Sequence, residues 1–174
     1  MPFGDGPVIF DGTGLDQHFV YLGSGASWTL GAIALQGFRP TDSGIVGVGD
    51  GCTIETLAGF TITGYGAMDP NSHGIYFHGT GTGKLTAPVI SKVPGAALHC
   101  YRGSPVVTVT DGQLGSLYES SLVGSGSVTF TDTAFTEPLA AWDLQIYSDS
   151  TGSGSATLVR CTGTGPNGAV RQTT

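Results

Sequence analysis

The sequence predicts an all-β chain wound into a short parallel β-helix of about five coils, and three observations lead there. Glycine supplies 30 of the 174 residues, and only 11% of residues are charged, less than half the about 25% of an ordinary soluble domain. The apolar residues, 39% of the chain, fall in short β-branched or aromatic runs between those glycines, a pattern of many short strands each closed by a tight turn. The runs also recur, Val107-Thr-Val-Thr-Asp111 returning as Val128-Thr-Phe-Thr-Asp132 after 21 residues. A disordered chain would lack this apolar content. A unit of this length holding two or three strands is one coil of a solenoid, each coil adding a layer about 4.8 Å thick.

Along the chain, Val8-Ile-Phe10, His18-Phe-Val-Tyr-Leu22 and Trp28-Thr-Leu30 read as strands that repeat poorly, in an N-terminal arm or cap covering residues 1–43. An open solenoid end needs such a cover because its backbone groups lack partners. The helix proper is expected over residues 44–162. It starts at Gly44-Ile-Val-Gly-Val48, and Gly59-Phe-Thr-Ile-Thr-Gly64 and His73-Gly-Ile-Tyr-Phe-His78 give one two-strand unit. Lys84-Leu-Thr86 and Ala96-Ala-Leu-His-Cys100 give the next, and Val107 to Asp111 with Leu117-Tyr118 a third. Val128 to Asp132 pairs with Trp142-Asp-Leu-Gln-Ile-Tyr147, and Ala156-Thr-Leu-Val159 opens the last. Period-2 alternation turns Val107, Val109, Val128 and Phe130 inward and the intervening threonines outward, stacking Val107 on Val128. Helix-tolerant residues occur only around Pro138 to Trp142. Residues 163–174 form a polar tail that frays or docks on a neighbour. A β-sandwich is the alternative, since short strands with frequent turns fit it too. The asparagine and leucine signature of a leucine-rich repeat is missing.

Charge and motifs narrow the function. A net charge of −7 with six scattered lysines and arginines leaves no basic stripe for nucleic acid. No apolar run approaches the roughly 18 residues of a membrane span, and the N-terminus carries no secretory leader pattern, so synthesis in a cytoplasm is expected. Cys52, Cys100 and Cys161 are odd in number and far apart, so reduced cysteines without a disulfide are expected. The Gly-Ser-Gly stretches at residues 23, 124 and 152 precede no helix and read as turns rather than phosphate loops. His18, His73, His78 and His99 are too spread for a metal site, and the odd separation of His73 and His78 sets them on opposite faces. No metal and no cofactor are expected.

The acids deserve separate treatment. Asp111 and Asp132 hold the same phase one coil apart, which would bring them within about 5 Å. That is the separation of the carboxylates in a retaining glycosidase. Both also end a strand, where aspartate favours the turn. The turn reading leaves no catalytic residue in the chain, and a site built on Asp111 and Asp132 is the alternative. Glu119, Glu137 and Asp143 stand singly and are expected in solvent.

The stretch Gly51-Cys-Thr-Ile-Glu-Thr-Leu-Ala-Gly-Phe-Thr-Ile-Thr-Gly64, followed by Gly74-Ile-Tyr-Phe77, resembles right-handed β-helix proteins of the pectate-lyase-like superfamily. Compact, glycine-rich members of tailed bacteriophages, namely tailspikes, head spikes and capsid decoration proteins, are most similar in coil pattern, over roughly residues 44–162. The resemblance implies a right-handed helix, trimeric assembly and a place on a virion. The expectation is therefore a non-enzymatic virion structural protein, a homotrimer in contact with capsid or tail protein. Val8, Ile9 and Phe10 are candidate assembly contacts, either as a docking arm or as a first strand. A tailspike depolymerase fragment acting on a surface polysaccharide is one alternative. A carbohydrate-binding module stacking sugar on Trp28, Tyr65, Tyr101 or Trp142 is the other.

Overall fold

The structure, a computed structural model, describes residues 7–65, 70–136, 142–149, 152–166 and 170–172. Among them there is no helix, and the strands form a parallel β-solenoid in which each coil gives one strand to each of three sheets. The first coil comprises β1 (Val8–Asp11), β2 (Val20–Leu22) and β3 (Ser27–Leu30), and the second β4 (Ile33–Gln36), β5 (Ser43–Val48) and β6 (Thr53–Thr56). The third holds β7 (Thr61–Thr63), β8 (Ser72–Gly79) and β9 (Thr82–Thr86), and the fourth β10 (Val89–Val93), β11 (Ala96–Gly103) and β12 (Val106–Thr110). The fifth holds β13 (Gln113–Ser116), β14 (Glu119–Val123) and β15 (Gly126–Thr131). The sixth holds β16 (Ala134–Thr136), β17 (Leu144–Ile146), a two-residue β18 (Ser148–Asp149) and β19 (Gly152–Val159). β20 (Thr162–Gly163) and β21 (Val170–Gln172) begin a seventh.

The sandwich is thereby set aside, because strands pair with the equivalent strand one coil away and run parallel to it. The one antiparallel pair among the described residues is β18 with β19. The solenoid has about six turns rather than five. Residues expected in a cap already wind with the rest, Val8 opposite Ile33 and Val20 opposite Val46. Polar residues of the tail supply β20 and β21, so the three sheets show no break at residue 44 or 162. Leu117 and Tyr118 link β13 to β14 instead of forming a strand, and residues 137–141 lie outside those described.

The stacking expected from the 21-residue recurrence is found. Val107 lies opposite Val128, Thr108 opposite Thr129 and Val109 opposite Phe130, with the valines and Phe130 buried. On the first sheet Leu35, Ile62, Ile90, Leu114 and Phe135 form a continuous inward column of the same kind. Stacking like on like lets each layer bury its side chains against identical neighbours, which is what lets so charge-poor a chain hold a narrow core.

The outer face of the third sheet carries the matching hydroxyl columns. Thr108, Thr129 and Thr157 form one, with Lys84 at the next step of the column, and Thr86, Thr110 and Thr131 another. Each run then turns toward the first sheet through a residue in the left-handed region. Ala87, Asp111, Asp132 and Arg160 occupy equivalent corners with φ of 46, 54, 50 and 51°. Aspartate tolerates this conformation better than most residues, which gives the two aspartates a structural reason to be there.

Candidate functional site: the histidine and tyrosine face

The second sheet breaks simple alternation where it leaves the first. Ile45 and Val46, and likewise Ala97 and Leu98 two coils on, are consecutive residues that both belong to the core. Gly74 occupies the same corner of β8, and a Cβ there would press on Ile90 of the core. Two inward residues in succession shift the phase, so His73 and His78 both join Tyr76 on the outer face. The expectation of opposite faces fails for this reason.

Beyond that corner the outer face gathers aromatic rings from successive coils. Tyr76 lies opposite His99 in the next coil's neighbouring strand frame, with centroids 5.3 Å apart, and Tyr101 lies 6.1 Å from Tyr76 and inclined to it by 29°. Glycines make room at both limits of the cluster. A side chain at Gly47 would collide with the Tyr21 ring, and one at Gly124 with the Tyr147 ring.

A hydrogen-bonded relay runs through the cluster. The Ala96 N–H donates to His73 Nδ1 at 3.0 Å, which leaves the proton of a neutral His73 ring on Nε2. His73 Nε2 then donates to His99 Nδ1 at 2.9 Å, and His99 Nε2 donates to the Tyr147 hydroxyl at 2.8 Å. One backbone amide thus sets the tautomer of both rings. Burial, with His73 alongside, pushes His99 well below its ordinary value of 6.5 and keeps it neutral. Burial also raises the Tyr76 phenol. Asp42, Asn71, His73, Tyr76, His99 and Tyr101 together line a cleft of about 330 Å³.

The acids expected in one pair are brought to one corner column, but with a third partner. Arg160 occupies the next step and donates from Nε and Nη2 to the two carboxylate oxygens of Asp132, both at 2.6 Å. That bidentate pair holds Asp132 below the usual carboxylate range. A retaining pair needs one acid kept protonated and one carboxylate free to attack a sugar, and Asp132 is occupied by arginine. Extending the repeat from Val159 by one residue would have found Arg160.

Glu119 and Asp143 correct another expectation. Both were expected in solvent, yet they are 3% and 0% exposed. Glu119 stands opposite Ala96 in the second sheet, where burial raises its carboxyl to about 7 against a smaller lowering by Arg171. Asp143 accepts the Gly165 N–H at 2.9 Å, and burial raises its carboxyl as well. Asp143 follows the corner column of Ala97 and Ser120 that turns inward, while Glu119 lies in a central strand of the second sheet with β11 on one side and β17 on the other. Glu137 lies outside the described residues.

Val8, Ile9 and Phe10 pair in register with β4, so they form the edge strand of the first sheet among the described residues. Of the candidate stacking rings, Tyr101 lines the cleft, while Tyr65 sits under the Arg39 guanidinium, Trp28 lies in the first coil and Trp142 is half-buried. Cys52 and Cys100 are buried and Cys161 is half-buried; burial raises the Cys100 thiol. Among the described residues no three His, Cys, Asp or Glu side chains converge as a metal site. Comparison with protein-family models, with curated proteins and with solved structures found no match to the chain.

Proposed function

We propose that the chain is a non-enzymatic structural component of a virion surface, a capsid-decoration or head- or tail-spike element acting through oligomer and partner contacts. The observation that carries this reading is the state of the core in the first and last described coils. Phe10, Trp28, Leu158 and Val170 stand in register with core positions, yet they are 40%, 44%, 40% and 44% exposed. Their neighbours one coil inward, Leu35, Ile54, Phe130 and Leu144, are 1% exposed or less. Apolar surface gathered at a sheet edge is what a docking partner covers. Few charges along the flanks favour close packing of copies side by side, and three parallel copies would set three such apolar edges in one plane. Capsid or tail protein is the partner this platform suits. The clamped state of Asp132 disfavours the depolymerase alternative.

Particles carrying the chain test the reading. The Phe10→Ser, Trp28→Ser double variant is expected to keep its far-ultraviolet circular dichroism and its oligomeric mass while losing attachment to particles at least tenfold. Attachment at the wild-type level, or a wild-type chain absent from every particle fraction, would contradict it.

A further inference from the structure

We propose that the first described coil of one copy docks end-on onto the last described coil of another, with Phe10 seated in a cleft there. The inference rests on the reading of these apolar edges as contact surfaces, and it names a second copy as the occupant of one of them. The last coil stops unevenly. The first and second sheets reach a seventh step with β20 and β21, whereas the third stops at β19 apart from the short β18. That short strand pairs only with Gly152 and Ser153 of β19. Among the described residues, no strand lies beyond Leu158, and it is exposed. The step left open is a cleft of about 270 Å³, lined chiefly by Phe135, Leu158, Gly163 and Val170.

Register shows what a second copy brings to this cleft. The inward column of Phe10, Leu35, Ile62, Ile90, Leu114 and Phe135 leads on to Gly163, so an incoming Phe10 stands over a residue without a side chain. In the second sheet the column from Val20 to Val170 sets valine on valine. The outward column beside it runs from Tyr21 to Arg171, both exposed, and brings the guanidinium to the ring. In the third sheet the column from Trp28 ends at Ala156, a large side chain facing a small one across the open step.

Charge fixes the polarity of the joint. Asp11 and Asp16 are the acids of the first described coil, which has no lysine or arginine, while Arg160 and Arg171 adjoin the last strands. Head to tail, opposite signs meet; two first coils face to face would set acid against acid. Such a contact repeats without closing, so a copy whose first coil is held by a particle offers its last coil to the next. The joint uses one coil edge per chain, a small patch beside the about 800 Å² per partner of a stable interface. It therefore fills at millimolar concentration, above the micromolar range of side-by-side assembly.

Disulfide trapping tests the joint, because residues opposite one another on neighbouring parallel strands lie at a separation that a disulfide spans. Tyr21→Cys and Arg171→Cys chains, both carrying Cys161→Ser, are mixed at millimolar concentration and oxidised, and the linked peptides are identified by mass spectrometry. The link between positions 21 and 171 is expected at least tenfold above that between Tyr21→Cys and Thr157→Cys chains, the latter altered on another sheet. Phe10→Ser in the first partner and Val170→Asp in the second, each checked by circular dichroism, should each lower the link at least tenfold. Val170→Asp leaves Phe10 and Trp28 intact and should keep particle attachment, which separates the joint from the particle reading. Trapping by a chain that attaches to no particle supports the joint and contradicts only that reading. A link no more frequent than the control, or one unchanged by Phe10→Ser or by Val170→Asp, overturns the proposal.

Discussion

Replacing Phe130 by alanine is expected to lower the stability of the chain by about 3–5 kcal/mol, the range for deleting a buried aromatic ring. Phe130 is fully buried, between Val109 and Leu158 in the neighbouring coils, and its ring meets Phe135 edge-on at 5.1 Å. The column is narrow, so neighbouring layers have little freedom to close the hole. For a chain of 174 residues the loss corresponds to a fall in thermal midpoint of roughly 10 °C. Thr129, one residue away and facing outward, is the control. Thr129→Ala should cost under about 0.5 kcal/mol. Equal midpoints for the two variants would show that the alternation, and with it the core, is misplaced.

The second large effect is a dependence on pH. Burial lifts Glu119 from 4.5 to about 7, so the folded chain holds this proton more tightly than the unfolded chain does. Its contribution is full below pH 4.5 and is lost as the pH rises through 7. A shift of that size corresponds to about 3 kcal/mol. Asp143, raised in the same direction, adds to the loss. His99 works in the opposite sense: its folded value lies well below 6.5, so protonation of the unfolded chain removes stability as the pH falls below 6.5. Comparison of wild type with Glu119→Gln by urea unfolding isolates the first effect, since His99 is common to both. The variant should gain on the wild type by about 3 kcal/mol between pH 4 and pH 8. A difference that stays flat across this range would place Glu119 in solvent.

The sequence made some of this legible and hid the rest for physical reasons. Where coils are short and regular, as from Val107 to Phe130, the repeat showed both the register and which side chains face inward. The first coils were harder to see because successive starts at Val8, Ile33 and Thr61 are 25 and 28 residues apart, the extra length lying in turns. Those insertions obscure the period without disturbing the sheets. The corner aspartates were legible as a column; Arg160 completes it 28 residues past Asp132, a longer step than the 21 between the aspartates, and one residue past the repeat unit that ends at Val159. The relay of His73, His99 and Tyr147 could not be read from spacing. It depends on two consecutive inward residues at the corner and joins positions 26 and 48 residues apart. Glu119 is buried between the strands of neighbouring coils, a covering that a period-2 pattern along its own strand does not show.

The native mass of the purified chain tests the central claim most directly, because a module that acts by contact must associate. Sedimentation equilibrium from low to high micromolar concentration is expected to give a discrete species of three 17.7 kDa chains. A single 17.7 kDa species across that range, cleaving a surface polysaccharide with an activity that Asp111→Asn and Asp132→Asn abolish, would contradict it.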